Sequence, residues 1–160
     1  MVNIVLWELF KRLIKPNALN AALKRMSQGQ LEKLVAQGTE AEVRQLAGEL
    51  NAMGENPVFN KWHSVVSSNV YGIAYDNDRK ILYVAFNDKS GKAAGAVYSY
   101  HDVSEPTFYS FLYSPSKGRF VWLYFRGAYL GSTKKMGGYQ KLRDSTADPA
   151  FGYARKEDSQ

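Results

Sequence analysis

Apolar residues recur at spacings of three and four through the first fifty-odd positions, and this pattern then gives way to alternation. In residues 3–15, NIVLWELFKRLIK, Ile4, Leu6, Trp7, Leu9, Phe10, Leu13 and Ile14 stand against Glu8, Lys11, Arg12 and Lys15. That spacing predicts an amphipathic helix, with Asn3 as a candidate cap and Pro16 as its stop. A short helix is expected after Asn17. A third, opened by Ser27 and closed near Gly38, covers SQGQLEKLVAQG. A fourth begins at Thr39, whose partner at capping-box spacing is Glu42, and ends at Gly54. Val43, Leu46 and Leu50 form its apolar stripe.

Pro57 in ENPVFN marks the change of texture. Beyond it, WHSVVSSNVYGIAYD, KILYVAFN and GAVYSYHDV are short runs of β-branched and aromatic residues, joined by the turns DNDRK and DKSGKAAG. Three strands with short links predict an antiparallel meander. In the middle strand Ile81, Tyr83 and Ala85 face one way, and Leu82, Val84 and Phe86 the other. With both faces apolar, one needs a cover, and a helix over SEPTFYSFLYS, capped by Ser104, supplies it. The run RFVWLYFRGAY fits a helix or a strand, because its apolar residues are nearly continuous. The expected class is α+β: a helical extension over 1–56, a sheet-and-helix domain over 57–130, and an extended, flexible basic tail over 131–160.

Composition adds limits. The 160 residues contain no cysteine, so disulfides, thiol nucleophiles and cysteine-based zinc sites are excluded. No apolar run is long enough to span a bilayer. The opening MVNIVLWELFKRLIKP has its charges after the apolar block and no small-residue cleavage site, so it is not expected to be a signal peptide. The formal net charge is +6, and residues 61–130 contribute +3 of it. A basic excess of this size favours polyanionic partners only mildly.

The segment 63–129 carries a pattern seen elsewhere. Ser67-Ser68-Asn69 opens it, Tyr75-Asp76 follows, Tyr98-Ser99-Tyr100 lies in the third strand, and Ser116-Lys117-Gly118 forms the turn after the helix. In this order the pieces resemble the KTSC domain family, found at the C-terminal end of some lysyl-tRNA synthetases and as small stand-alone proteins in bacteria and phages. The loop from Asp88 to Gly95 is longer than the family's usual turn. FVWLYFRG stands where the family tends to have a polar helix. The resemblance implies a small domain for which the synthetase context suggests RNA contact.

The chemistry on offer is thin. His63 and His101 lack metal-ligand spacing with Asp76 or Asp102, and Ser64, Ser67 and Ser68 sit in no nucleophile elbow. No cofactor, metal or catalytic role is therefore expected, and the chain reads as non-enzymatic. Two binding classes follow. In the first, Lys117, Arg119, Arg126, Lys134 and Lys135 contact the phosphates of RNA or DNA, with Tyr98 and Tyr100 as stacking rings. With Val97 and Ser99 on the opposite face, the favoured reading of the two tyrosines is core beneath the following helix. In the second, a phage virion component or other interaction protein docks Trp7, Phe10 and Leu13, and its basic tail, onto neighbouring subunits or a second copy of the chain. The same helix has a competing use in packing on the chain's own sheet. The expected location is the cytoplasm or a phage particle.

Overall fold

A computed structural model of the chain describes residues 4–55, 62–65, 69–91, 93–127 and 138–143. Four helices come first: α1 (Ile4–Leu13), α2 (Pro16–Arg25), α3 (Gln28–Val35) and α4 (Glu40–Met53). Their ends are written in the sequence. Ser27 and Gln30 exchange side-chain and backbone hydrogen bonds in one capping box, and Thr39 and Glu42 do so in another. Gly54 ends α4 at φ +67, a conformation that costs glycine nothing. The candidate cap Asn3 lies outside the described residues.

Helix α1 lies against α4 and α3. Its Trp7 and Phe10 are buried and stacked on each other with ring centres 5.7 Å apart. Leu13 is half-buried against the same core. The docking face expected on this helix is thus consumed within the chain, on helices rather than on the sheet. Asn51 of α4 fixes the corner between α1 and α2. Its Oδ1 accepts from the Lys15 amide at 2.7 Å, and its Nδ2 donates to the Leu13 carbonyl at 2.9 Å.

The second half is an antiparallel sheet in the order β1-β2-β3-β4-β5, with β1 (His63–Ser64), β2 (Val70–Asp76), β3 (Ile81–Asn87), β4 (Ala94–His101) and β5 (Gly138–Arg143). The expected meander is β2–β4, and β1 and β5 extend it at the two edges. The tail is therefore not a separate unit throughout, since residues 138–143 pair with β4, Tyr98 opposite Lys141 and Tyr100 opposite Tyr139. Asp76 builds the β2–β3 turn by accepting from the amides of Asp78 and Arg79, both at 3.0 Å.

The sheet face formed by Tyr75, Leu82 and Tyr100 in one row, and Ile73, Val84 and Tyr98 in the next, is the covered one. Its lid is α5 (Glu105–Leu112), a short α6 (Lys117–Phe120) and a π-helix over Val121–Gly127. Ser104 caps α5 by accepting from the Thr107 amide, as its position in the sequence predicts. Tyr75 stacks face to face on Phe108, with ring centres 4.3 Å apart, and donates its hydroxyl to the Val103 carbonyl. Tyr100 stacks on Phe125, and Phe125 meets Phe111 and Phe120 edge-on or tilted. Tyr75 serves here as an apolar ring with one satisfied polar end. On the opposite face a smaller cluster gathers Ala85, Ala94 and Val97 with half-buried Trp62 and Tyr71.

Burial pushes the Tyr75 phenol up to about 12, with Glu105 adding to the effect. It also raises Tyr109 and Tyr113, against the nearby Arg25 guanidinium. Because these acids are harder to ionise folded than unfolded, their contribution to stability is complete below about pH 10. For Tyr75 it is lost as the pH climbs from there toward about 12, and Tyr109 and Tyr113 lose theirs in the same direction. Alkaline titration followed by phenolate absorbance and circular dichroism is expected to show a late-ionising set of tyrosines whose titration coincides with unfolding. In Tyr75→Phe the unfolding midpoint should move to higher pH; an unchanged midpoint would rule Tyr75 out as the group that sets it.

A candidate binding cleft and the turn behind it

The turn from Ser114 to Arg119 connects the lid to the helical half. Ser116 caps α6 by accepting from the Arg119 amide at 3.3 Å, and its own amide donates to Ser114 Oγ at 3.3 Å. Lys117 does not project into water. It is 2 % exposed, its Nζ donates to the Ser114 carbonyl at 2.9 Å, and it pairs at 3.4 Å with Glu49 of α4, itself 7 % exposed. Desolvation lowers the Lys117 pKa, and the Glu49 carboxylate opposes that shift.

Two further cations sit at the same junction. Arg119 donates to the Gln37 carbonyl at 3.1 Å and approaches Glu42 at 3.5 Å. Arg25 of α2 donates to the Tyr113 hydroxyl at 3.0 Å and lies over the Tyr109 ring, 4.9 Å from its centre. Gly38 abuts Pro115 so closely that a Cβ on it would stand 2.5 Å from the proline Cβ.

The phosphate strip expected from the sequence is therefore not assembled on the surface. Lys117 is buried in an ion pair, and Arg119 is partly exposed but engaged with the helical half. Tyr100 is fully buried, and Tyr98 is half-buried between Phe86 and Tyr100, so neither ring offers an open stacking face. Arg126 belongs to the backbone of the π-helix; its side chain, like Lys134 and Lys135, lies outside the described residues.

What the fold does expose is different. In the π-helix Val121 and Phe125 point inward, while Trp122, Leu123 and Tyr124 are 63 %, 44 % and 50 % exposed. A π-helix takes more than four residues per turn, which leaves three consecutive large side chains on the outer face. Trp122 and Val121 line a cleft of about 360 Å³. Asn69, Phe86, Asn87 and Asp88 form the rest, and Gly118 completes the lining. Asn69 also packs on Gly118: a Cβ there would lie 2.5 Å from its Nδ2 and 2.9 Å from its own Cβ. Gly118 is needed for that close approach. Asp88 is held by its turn, its Oδ1 accepting from Ser90 Oγ at 2.6 Å and from the amides of Ser90 and Gly91.

The sequence reading missed Trp122 because the apolar run 120–125 is nearly continuous, so periodicity separates neither helix from strand nor inner from outer side chains. It missed Glu49 because nothing local marks that glutamate among the others of α4. On chemistry, Ser99 Oγ and His101 Nε2 lie 2.9 Å apart on β4, with Ser99 2 % exposed. Among the described residues, no three His, Asp or Glu side chains gather as a metal site, and no helix is long and apolar enough to cross a membrane.

Residues 66–129 match the family model described as the KTSC domain. No curated protein matches the chain. Among solved structures, a KTSC domain protein from Yersinia pestis is 27 % identical, over 51 % of this chain and 94 % of that one, with a TM-score of 0.40. The α+β architecture with a helical N-terminal half agrees with the expectation from the sequence.

The ion pair at the junction generates a direct prediction. Lys117→Ala strands Glu49 in the interior and is expected to cost about 3–5 kcal/mol in urea unfolding. Lys117→Met combined with Glu49→Leu should recover most of that loss, because two apolar side chains replace two desolvated charges. A double variant no more stable than Lys117→Ala would show that the pair is not the source of the cost.

Proposed function

We propose that the KTSC domain over residues 66–129 is a non-enzymatic binding module that takes up single-stranded RNA or DNA at the Trp122 cleft. The observation that carries this reading is the exposed indole of Trp122 beside a cleft that also holds the polar side chains of Asn69, Asn87 and Asp88 together with the Phe86 ring. An unstacked base gains about 1–3 kcal/mol from an aromatic face, whatever its identity. Amide side chains such as Asn69 and Asn87 suit the hydrogen-bonding edge of a base. Asp88 would repel a phosphate, so the base enters the cleft and the backbone runs outside it. The excess of positive charge over residues 61–130 supports the same partner.

One observation favours a second reading. Trp122, Leu123 and Tyr124 together make an apolar ridge that suits a neighbouring protein subunit, as in a virion component. Helix α1 no longer supports that reading, since Trp7 and Phe10 are already buried.

Fluorescence anisotropy with a labelled single-stranded oligonucleotide of about a dozen nucleotides separates the two. Binding is expected at low salt and should weaken steeply as salt rises, through counterion release. Trp122→Ala should lose roughly 5- to 150-fold in affinity, the equivalent of one stacked base. Absence of binding at low salt, with concentration-dependent self-association abolished by Trp122→Ala, would replace the nucleic-acid reading with the second one.

A further inference from the structure

The junction between the halves has an unusual charge arrangement. On the domain side, Lys117 and Arg119 belong to one turn, two residues apart, and directly flank Gly118 of the cleft. On the helical side, α4 presents Glu49 to the first and Glu42 to the second, at 3.4 and 3.5 Å. Neither cation's contacts are made by chance on open surface. Lys117 is sealed by its cover, and Arg119 is additionally anchored on the Gln37 carbonyl. Without α4, the turn would display two guanidinium or ammonium groups beside the cleft, and α4 would display two carboxylates.

We infer that the Ser116–Arg119 turn is a cryptic site for the phosphates of a nucleic-acid strand, filled in this structure by the Glu42 and Glu49 carboxylates of α4. The ligand class rests on the proposed function above; the occupancy of the turn by α4 rests on the junction geometry. A carboxylate and a phosphate oxygen make the same charge-assisted hydrogen bonds to lysine and arginine, so the two compete for one place. A strand whose base sits against Trp122 brings its backbone to the side of the cleft where Gly118 lies, within reach of the two flanking cations. Displacing α4 costs the covered contacts and gains two phosphate contacts, and the observed affinity is the intrinsic affinity multiplied by the open fraction. The contacts to be broken include the apolar core in which Val43, Leu46 and Leu50 of α4 join Phe111 and Phe120 of the lid, and the Arg25 bridges to Tyr113 and Tyr109.

The absence of cysteine makes a clean test available in the full chain. Gly38 and Pro115 touch across the junction, and replacing both with cysteine needs a relaxation of about 1 Å to reach disulfide geometry. In the reduced double variant, Lys117 should be acetylated by a water-soluble reagent faster than global unfolding allows, with protection in the oxidised form. The labelled oligonucleotide should bind the oxidised form about tenfold more weakly than the reduced one. Glu42→Gln keeps the capping box, since glutamine serves at that position. It should bind about twofold to fivefold more tightly than the parent, the value of one partly exposed ion pair. Equal binding by oxidised and reduced forms, or an unchanged Glu42→Gln, overturns the inference and leaves the cleft reading standing. No binding by any form overturns both. Acetylation of Lys117 only at the global unfolding rate overturns the inference, whatever the binding shows.

Discussion

A charged lysine with almost no access to water is stable only if its charge is answered, and in this chain the answer comes from the other half of the molecule. Lys117 belongs to the turn under the lid, and Glu49 to the last turns of α4. Neither side chain can be buried without the other, because an unanswered interior charge costs several kcal/mol. The pair does not add much net stability by itself. It ties the position of four helices to the position of one turn, and through that turn to Gly118, Asn69 and the cleft wall.

Several other contacts follow from that constraint. With α4 fixed over the turn, Gly38 comes against Pro115, Arg119 reaches Gln37 and Glu42, and Arg25 covers Tyr109. Arg25 and Arg119 lay long cationic side chains across the join, around an apolar core that the helices and the sheet share. The residues that carry the family resemblance have mainly architectural work. Tyr75 and Tyr100 are rings of the core, Ser116 is a cap, Lys117 is half of an ion pair, and Gly118 gives Asn69 room. The groups offered to solvent, Trp122 to Tyr124, come from the stretch where the chain departs from the usual family pattern.

Much of the architecture was legible in the sequence because it is encoded locally. Ser27, Thr39 and Ser104 announce helix starts by their own side chains, and the alternation in KILYVAFN specifies a strand with two apolar faces. The expectation that Tyr98 and Tyr100 belong to the core was legible from the helix that follows them. The solvent exposure expected of Lys117 was a misreading with a physical cause: a lysine in a Ser-Lys-Gly turn is normally solvated, and only a glutamate 68 positions earlier changes that. The π-helix was illegible for another reason. Its period, above four residues, is longer than the 3.6 of an α-helix and far from the 2 of a strand, so Val121 and Phe125 look like members of a continuous run. The pairing of residues 138–143 with β4 was hidden in a polar, glycine-containing segment whose strand character comes from the edge it joins.

That last pairing bears on how the chain is made. Strand β4 ends at His101, and the segment that covers its outer edge begins at Gly138. During synthesis on the ribosome, the lid and the π-helix emerge before the closing strand does. For that interval the β4 edge, with Val97, Tyr98 and Tyr100, stands open with unpaired amide and carbonyl groups. Such an edge recruits strands from neighbouring nascent chains. The vulnerable moment of this protein's life is therefore late in translation, and a chaperone that shields β4 would act there.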